Sequence, residues 1–302
     1  MSHALRALRT ALQLLPIALV LVVLVPGSAV QPTTLTLTKV TTAEGYDAGS
    51  DVVWVLVLGE DSVHDTDAIQ LLGIDARTGA AAGIGIPRDS WVDLGGGEMG
   101  KINQAYGEDA DAERVSEVVR ELVGITADYV LATAGDGFVS MVDALGGVTV
   151  VSSQAFVTDD RNMQVDKGPN EFTGDEALDF AMTRDAFPDV PGDFVRSENH
   201  QALLLGLLKQ LQRQDGDRGF VELMALSALE GLDTDASPVD LYRLLNVLTG
   251  VDPDQVEGCI VVGREDVDAR GNQIIVPDDE LAERLGREAA ADATFESGCE
   301  PR

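Results

Sequence analysis

An acidic segment, from Gly59 to Asp67, follows the apolar run from Val52 to Leu58. It holds four carboxylates within eight residues, those of Glu60, Asp61, Asp65 and Asp67. Such groups repel one another unless a positive group lies among them, and Mg²⁺ shared with a substrate phosphate takes oxygen ligands of this kind. The segment therefore indicates a Mg²⁺ site, although a solvated acidic loop in an acidic protein explains the same pattern.

A second polar segment lies at the end of the third apolar run. Arg88 and Asp89 come directly after this run, and Lys101 follows them along the chain. A guanidinium at a strand end can bind phosphate through two parallel hydrogen bonds. The alternative is an arginine–aspartate salt bridge at the edge of the sheet.

A third polar segment begins at Arg184 and continues into a predicted helix. Arg196 and His200 are four residues apart on this helix and share one face, which Leu203 and Leu207 continue. The face places a cation beside an apolar stripe, which suits a ligand with an anionic head and an apolar tail. An ordinary amphipathic helix explains the leucines equally well.

Strands and helices alternate around these segments. Runs that are apolar on both faces predict central strands covered by helices. They span Val52 to Leu58, Ala68 to Ile74 and Ala81 to Ile86. Helices are predicted from Ala110 to Val123 and from Val195 to Gln212. With no internal repeat or low-complexity linker, the sequence predicts one α/β domain over residues 51–302, with a central sheet flanked by helices.

The first thirty residues differ from the rest. They contain Arg6 and Arg9, no acidic residue, and an apolar run from Leu12 to Val25. Basic residues before an apolar run keep the N-terminus in the cytoplasm and place the later part of the chain outside. The run fits a cleaved signal, and counted to Val30 it could just span a bilayer. Residues 1–30 are therefore predicted as an anchor or signal and residues 31–50 as a stalk.

The charge balance excludes one class of partner. The chain has 302 residues with 52 acidic and 21 basic side chains, a formal net charge of −31. A hydrophobic fraction of 45% is enough for a sizeable core. No basic field is available to bind nucleic acid non-specifically. An anionic substrate must instead be bound by a few local arginines or by a metal.

The chain has two cysteines, Cys259 and Cys299. Outside the cytoplasm they would meet an oxidising environment, so a disulfide between them is predicted. Two unpaired thiols are the alternative.

Taken together and in order, the polar segments resemble the LytR-CpsA-Psr family of cell-wall ligases. The resemblance covers about Asp51 to Leu211. The matching segments are Val55 to Ser62, Thr66 to Ile69, Gly85 to Ser90, Lys101 to Tyr106, Asp143 to Val148, Gly174 to Leu178 and Arg184 to Arg196.

The resemblance implies both a fold and an activity. The fold is a single α/β domain with a central mixed sheet, exposed outside the cell after an N-terminal membrane anchor. Members of the family are understood to take a glycopolymer from a polyprenyl-pyrophosphate carrier and join it to peptidoglycan, using Mg²⁺. The partners would be this lipid-linked polymer, peptidoglycan and the membrane.

The resemblance also implies residue roles. Asp61 and Asp67 correspond to metal ligands, and the lipid tail would lie in an apolar tunnel between sheet and helices. The residues assigned to the pyrophosphate are Arg88, Lys101, Arg184, Arg196 and His200. Those assigned to catalysis are Asp61, Arg88 and Asp89.

The chain departs from the family pattern at four positions. Val63 and Met182 replace arginines, and Asn199 and His200 replace an arginine–glutamine pair. A protonated His200, Lys167 or Arg161 could compensate. The departures keep open two alternatives to a transferase, namely a hydrolase of the same substrate and a degenerate member that binds polyprenyl lipid or wall polymer without turnover.

Overall fold

The structure is a computed structural model that describes residues 35–40, 51–60, 65–107, 109–187, 189–213, 232–234 and 236–298. The predicted membrane segment (1–30), most of the predicted stalk, and Asp61 lie outside these ranges. In the described part of the chain, no helix has both the length and the apolar character needed to cross a bilayer.

A mixed seven-stranded sheet forms the centre of the protein. Its strands are β1 (Leu35–Lys39), β2 (Val52–Glu60), β3 (Thr66–Asp75), β4 (Ala81–Gly85), β7 (Tyr129–Ala134), β12 (Leu232–Thr234) and β13 (Val256–Ile260). Their order in the sheet is β12-β1-β7-β2-β3-β4-β13. β2, β3 and β4 are antiparallel to one another, whereas β7 runs parallel to β2 and β13 runs parallel to β4.

Four two-stranded pairs lie beside this sheet. They are formed by β5 (Trp91–Asp93) with β6 (Met99–Lys101), β8 (Val148–Ser152) with β11 (Gly168–Phe172), β9 (Phe156–Val157) with β10 (Gln164–Val165), and β14 (Gly263–Val267) with β15 (Gln273–Pro277). The described helices are α1 (Ala112–Val123), α2 (Gly135–Ala144), α3 (Gly174–Met182), α4 (Gly192–Arg213), α5 (Pro238–Thr249) and α6 (Asp279–Ala289).

Helices cover both faces of the sheet, as its doubly apolar strands require. Along β2, Leu56 and Leu58 belong to a buried cluster that includes the apolar faces of α1 and α6. The alternate residues Val53 and Val55 belong to another cluster, together with Val247 of α5. Because successive side chains of a strand point to opposite faces, β2 lies between two helical layers. The predicted α/β fold with a central mixed sheet is confirmed.

The predicted stalk is wrong at residues 35–39, which form β1 inside the central sheet. β1 pairs with β7 in antiparallel and with β12 in parallel orientation. Leucine and threonine alternate along it, and Leu37 is buried. The physical reason is that β-branched threonines and period-two leucines suit a half-buried strand.

Cys259 of β13 is buried and disulfide-bonded. The cysteine predicted as its partner, Cys299, lies outside the described residues.

Helix α4 lies close against β4 because β4 carries glycine there. A Cβ at Gly85 would overlap the Ser197 hydroxyl and would lie 3.0 Å from Gln201 Nε2 and 3.1 Å from Gln70 Oε1. Gln70 Nε2 donates to Ser197 Oγ at 3.0 Å, and Gln201 Nε2 donates to the Cys259 carbonyl at 2.8 Å. These contacts hold the first turns of α4 against the sheet.

We expect Gly85→Ala to lower the free energy of unfolding by about 1–3 kcal/mol, the usual cost of overpacking a core. Gly83→Ala on the same strand is the matched control, because its added Cβ would meet its nearest neighbour, Leu72 Cδ2, at 3.5 Å. Urea unfolding of both variants tests the contact. Equal losses of stability in the two variants would show that the close contact with α4 does not restrict the size of the residue at position 85.

Candidate functional site

One edge of the central sheet gathers the polar segments. Because β2, β3 and β4 alternate in direction, the end of β2, the start of β3 and the end of β4 meet there. Asp65 and Asp67 come from the start of β3, and Arg88 and Asp89 follow β4. The first turns of α4 reach the same edge, since Ser197 lies against Gly85.

Four cations and four carboxylates form a continuous network at this edge, which we call the arginine–aspartate cluster. Its formal charges cancel. The cluster consists of Arg88, Lys101, Arg184, Arg196, Asp65, Asp67, Asp89 and Asp193.

Asp67 is the centre of the cluster. Its Oδ1 atom accepts hydrogen bonds from Nη1 of Arg88 and, at 3.1 Å, from Nη1 of Arg196. Arg88 also lies 3.5 Å from Asp65 and 3.8 Å from Asp89. The two guanidinium groups come from segments more than a hundred residues apart in the chain and converge on one oxygen atom.

Asp193 and Asp89 extend the cluster in two directions. Asp193 Oδ1 lies 2.6 Å from Arg196 Nη2 and 3.2 Å from Arg184 Nη2. Asp89 Oδ1 lies 2.9 Å from Lys101 Nζ. The network therefore runs from Lys101 to Arg184.

The exposed fraction of the side chain differs among the members of the cluster. The side chains of Arg196 and Asp193 are 3% and 5% exposed, whereas that of Arg184 is 44% exposed. Arg88 lies between these limits at 18%. Arg184 is thus placed at the surface and Arg196 at the base, an arrangement in which an anion could enter from solvent.

Burial and the carboxylates act in opposition on the two central arginines. Burial alone would lower the pKa of Arg88, but Asp67, Asp89 and Asp65 raise it above its ordinary value. Burial lowers the pKa of Arg196 below its ordinary value, although Asp193 and Asp67 oppose the shift. Arginine stays charged at any physiological pH, so both groups remain cations that can bind phosphate.

Asn103 ties two parts of the cluster together. Its Nδ2 donates to Asp65 Oδ2 at 3.1 Å, and its backbone N–H donates to the Arg88 carbonyl at 3.2 Å. The hydroxyl of Thr66 donates to the Asn103 carbonyl at 3.4 Å. Asn103 therefore fixes the position of the Asp65 side chain relative to the Arg88 backbone.

Most of the predicted site residues meet in the cluster. Asp67, Asp89, Lys101 and the three arginines 88, 184 and 196 are brought together. The sequence pattern indicated no individual role for Asp193 or Asn103, and it indicated Asp65 only as one of several carboxylates in the acidic segment. The signals were present, since Asp65 belongs to the acidic segment, Asp193 opens α4 and Asn103 follows Lys101.

His200 lies one turn beyond Arg196 and is buried. Burial, with a further contribution from the Arg196 charge, lowers its pKa to about 3. A protonated His200, one of the three compensations considered, is therefore not supported at neutral pH. The physical reason is that a second cation next to a buried guanidinium would be left unsolvated.

Asn199, another departure from the family pattern, has a local explanation, and the two other cations considered as compensation lie at the surface. The side chain of Asn199 is buried and donates to the Phe180 carbonyl at 2.9 Å, joining α4 to α3. Arg161 Nη2 pairs with Asp175 Oδ1 at 2.9 Å, where both side chains are exposed. Lys167 is exposed. Val63 lies outside the described residues.

The donor chemistry of the cluster fits the expected Mg²⁺. Asp65, Asp67 and Asp89 supply the carboxylate oxygens that Mg²⁺ prefers, and one or two carboxylates suffice when a substrate phosphate completes the coordination. Among the residues that the structure describes, no group of three or more His, Cys, Asp or Glu side chains is arranged to hold a metal ion by itself.

An apolar region, which we call the phenylalanine cluster, begins two turns along α4 from Arg196. Phe156, Phe172 and Phe180 pack at centroid distances of 5.4 Å and 5.8 Å, and Leu203 of α4 joins them. A cleft of about 480 Å³ borders this region, but its lining is mainly polar and includes Asp143, Glu171 and Glu176 beside Val148 and Phe172. One helix thus carries a charged end and an apolar middle.

Comparisons with known proteins agree with this architecture. Residues 27–289 match the sequence profile of the LytR_cpsA_psr family. A curated relative is the polyisoprenyl-teichoic acid–peptidoglycan teichoic acid transferase TagU of Bacillus cereus, 29% identical over 181 residues. That match covers 58% of this chain and 58% of the relative, so the chain spans little more than half the length of the protein it matches.

Two solved structures share the fold. TagV of B. subtilis superposes with a TM-score of 0.69 at 21% identity, covering 82% of this chain and 98% of TagV. A structure of TagT with bound octaprenyl pyrophosphate lipid superposes with a TM-score of 0.61 at 20% identity, covering 87% of this chain and 97% of that one. The profile match extends over most of the chain and includes every residue of the arginine–aspartate cluster. The chain therefore belongs to the LytR-CpsA-Psr family.

Proposed function

We propose that this protein transfers a glycopolymer from a polyprenyl-pyrophosphate carrier to peptidoglycan. The observation that carries the proposal is the convergence of Arg88 and Arg196 on one oxygen atom of Asp67. Two guanidinium groups that share one oxygen are spaced to bind the neighbouring oxygens of a diphosphate. The names of the relatives, a teichoic acid transferase and a protein with bound octaprenyl pyrophosphate, support this substrate class.

Local charge allows an acidic protein to bind such a lipid. Interactions between charges at contact distance exceed the field of distant surface carboxylates, which solvent and salt screen. Arg88 and Arg196 would bind the diphosphate in the partly buried base, and Arg184 would meet it at the surface. Lys101 lies beside Asp89, and from there it can position the head group of either the donor or the acceptor.

The phenylalanine cluster supports an apolar tail on the same ligand. Leu203 lies seven residues from Arg196 on α4, about 10 Å along the helix axis. A diphosphate bound at the arginines would thus direct its polyprenyl chain toward this apolar region. This separation of head and tail favours a lipid diphosphate over a soluble nucleotide.

The transfer itself is a displacement at phosphorus. An acceptor hydroxyl oxygen bonds to the phosphorus next to the sugar, the bond from that phosphorus to the bridging oxygen breaks, and polyprenyl phosphate leaves with the bridging oxygen. The hydroxyl proton passes to Asp89 or Asp61. The arginines stabilise the charge that develops on the phosphoryl oxygens.

A bound Mg²⁺, held by Asp61 and Asp67, would neutralise phosphate charge in the same reaction. We further propose that the apolar N-terminal segment anchors the chain in the membrane with the α/β domain outside the cytoplasm. Basic residues before that segment favour this orientation.

Arg88→Ala should lower the rate of transfer by about a hundredfold or more, because one charge-stabilising donor is lost. The measurement is transfer from a purified lipid-linked donor to peptidoglycan. Arg287→Ala is the control, since Arg287 is an exposed arginine of α6 that pairs with Glu283. Unchanged transfer would remove Arg88 from the site. A stability loss as large as that of a core mutation would favour a sheet-edge salt bridge instead.

In the same assay, EDTA should abolish transfer by the unmodified protein, and added Mg²⁺ should restore it. The physical reason is that the missing arginines leave more of the phosphate charge to be neutralised by the metal. Transfer that persists in EDTA would contradict the metal requirement. No transfer at any Mg²⁺ concentration, with retained lipid binding, would identify the chain as a family member that binds without turnover.

His200 cannot replace the missing arginines as a cation, and its neutrality has a consequence for stability. Its pKa of about 3 in the folded protein lies below the ordinary value of 6.5. The unfolded chain therefore binds a proton that the folded chain does not. Stability from this group is present above pH 6.5 and decreases as the pH falls toward 3.

His200→Gln should therefore make the melting temperature less sensitive to acid. Each protein is compared with its own value at pH 8, and the decrease between pH 7 and pH 4.5 should be smaller for the variant. Differential scanning fluorimetry across this range is sufficient. Parallel curves would show that His200 does not bind its proton on unfolding.

A further inference from the structure

We propose that Asp67 is a displaceable counter-ion of Arg88 and Arg196, with which a phosphate ligand must compete. Its carboxylate occupies the place between the two guanidinium groups that a phosphate oxygen would take. This inference rests on the proposed phosphate site and adds a property to it. The property is that Asp67 keeps the arginine pair closed to weakly binding anions.

The geometry of the contact resembles that of a bound anion. One oxygen, Oδ1 of Asp67, accepts from Nη1 of Arg88 and from Nη1 of Arg196 at 3.1 Å. A carboxylate oxygen and a phosphate oxygen accept the same charge-assisted hydrogen bonds from guanidinium. Asp67 is therefore a stand-in for one oxygen of the ligand.

The contacts of the two arginines show why Asp67 is the member that can leave. Without Asp67, Arg196 keeps Asp193 at 2.6 Å. Arg88 likewise keeps Asp65 at 3.5 Å and Asp89 at 3.8 Å. Neither guanidinium would be left buried without a compensating charge, which is the costly situation for an ion in a protein interior.

Exposure separates Asp67 from Asp193. The Asp67 side chain is 13% exposed, whereas that of Asp193 is 5% exposed and lies in the first turn of α4 between two arginines. A ligand can therefore reach Asp67 from solvent. Asp193 fixes the orientation of Arg196 and stays in place when a ligand binds.

An internal carboxylate competes with external anions at a high effective concentration, because it is already held at the site. Without metal, every phosphate ligand bound by this arginine pair must replace the two Asp67 contacts, whereas a bound Mg²⁺ would hold the Asp67 carboxylate itself. A diphosphate offers oxygens to both guanidinium groups and can overcome the competition. A monophosphate offers fewer, so the return of Asp67 would assist release of polyprenyl monophosphate after transfer.

Isothermal titration calorimetry with inorganic pyrophosphate and with orthophosphate, in EDTA, tests the proposal on the full chain in detergent. Asp67→Asn keeps the size of the side chain and removes its charge. We expect it to lower the dissociation constant for both anions by about tenfold or more. Asp67→Ala should have the same effect. It tests whether the new asparagine amide disturbs the local packing. Thermal unfolding shows whether each variant is folded.

Asp193→Asn is the matched control, because it removes an equal charge from the same arginine. We expect it to leave the affinity unchanged or to weaken it, since Arg196 loses its fixed partner. Equal tightening by the Asp67→Asn and Asp193→Asn variants would show a general effect of net charge and would overturn the proposal.

The remaining outcomes distinguish the counter-ion role of Asp67 from the phosphate site itself. If the unmodified chain binds pyrophosphate and Asp67→Asn binds it no more tightly, the counter-ion role is wrong and the phosphate site stands. If neither protein binds pyrophosphate at millimolar concentration, the phosphate site itself is wrong, and the counter-ion role fails with it.

Discussion

The buried guanidinium of Arg196 is the constraint on which the site depends. A charged group that is 3% exposed has lost nearly all of its water, and only close opposite charges can compensate for that loss. Asp193 supplies one such charge from the same helix, and Asp67 supplies another from the sheet. The rest of the cluster depends on this pairing, because Asp67 also pairs with Arg88, and Arg88 in turn pairs with Asp65 and Asp89.

The sheet topology makes this pairing possible. Antiparallel β2, β3 and β4 bring the end of β2, the start of β3 and the end of β4 to one edge. Helix α4 reaches that edge because glycine in β4 allows close contact. Its first turns therefore face the strand ends, while its middle packs into the phenylalanine cluster. A single helix thereby joins the polar site to a buried apolar cluster.

Two of the departures from the family pattern, Asn199 and His200, are accommodated by packing rather than by substitute charges. Asn199 bonds to the backbone of α3, and His200 is buried in the neutral state. Neither restores the positive charge of the arginine–glutamine pair in whose place they stand. The cationic strength of this site comes from Lys101 and the three arginines of the cluster, all of which are partnered by carboxylates.

Much of the fold could be read from local pattern. The run predicted from Val52 to Leu58 is observed as Val52–Glu60, and the helix predicted from Val195 to Gln212 is observed as Gly192–Arg213. Such elements are decided by the spacing of apolar side chains, which the sequence displays directly. β1 was missed because five residues of alternating leucine and threonine carry too weak a local signal, and its strand identity depends on pairing with β7.

The sequence by itself determined strands β2, β3 and β4, helices α1 and α4 and the residue types of the site, because these depend on neighbours in the chain. Only the tertiary structure decided that Arg88 and Arg196 share one oxygen of Asp67, and that His200 is neutral. Both depend on distances between segments remote in sequence and on the exclusion of water around them. Charge and pKa respond to that surrounding medium, which no local pattern of residues specifies.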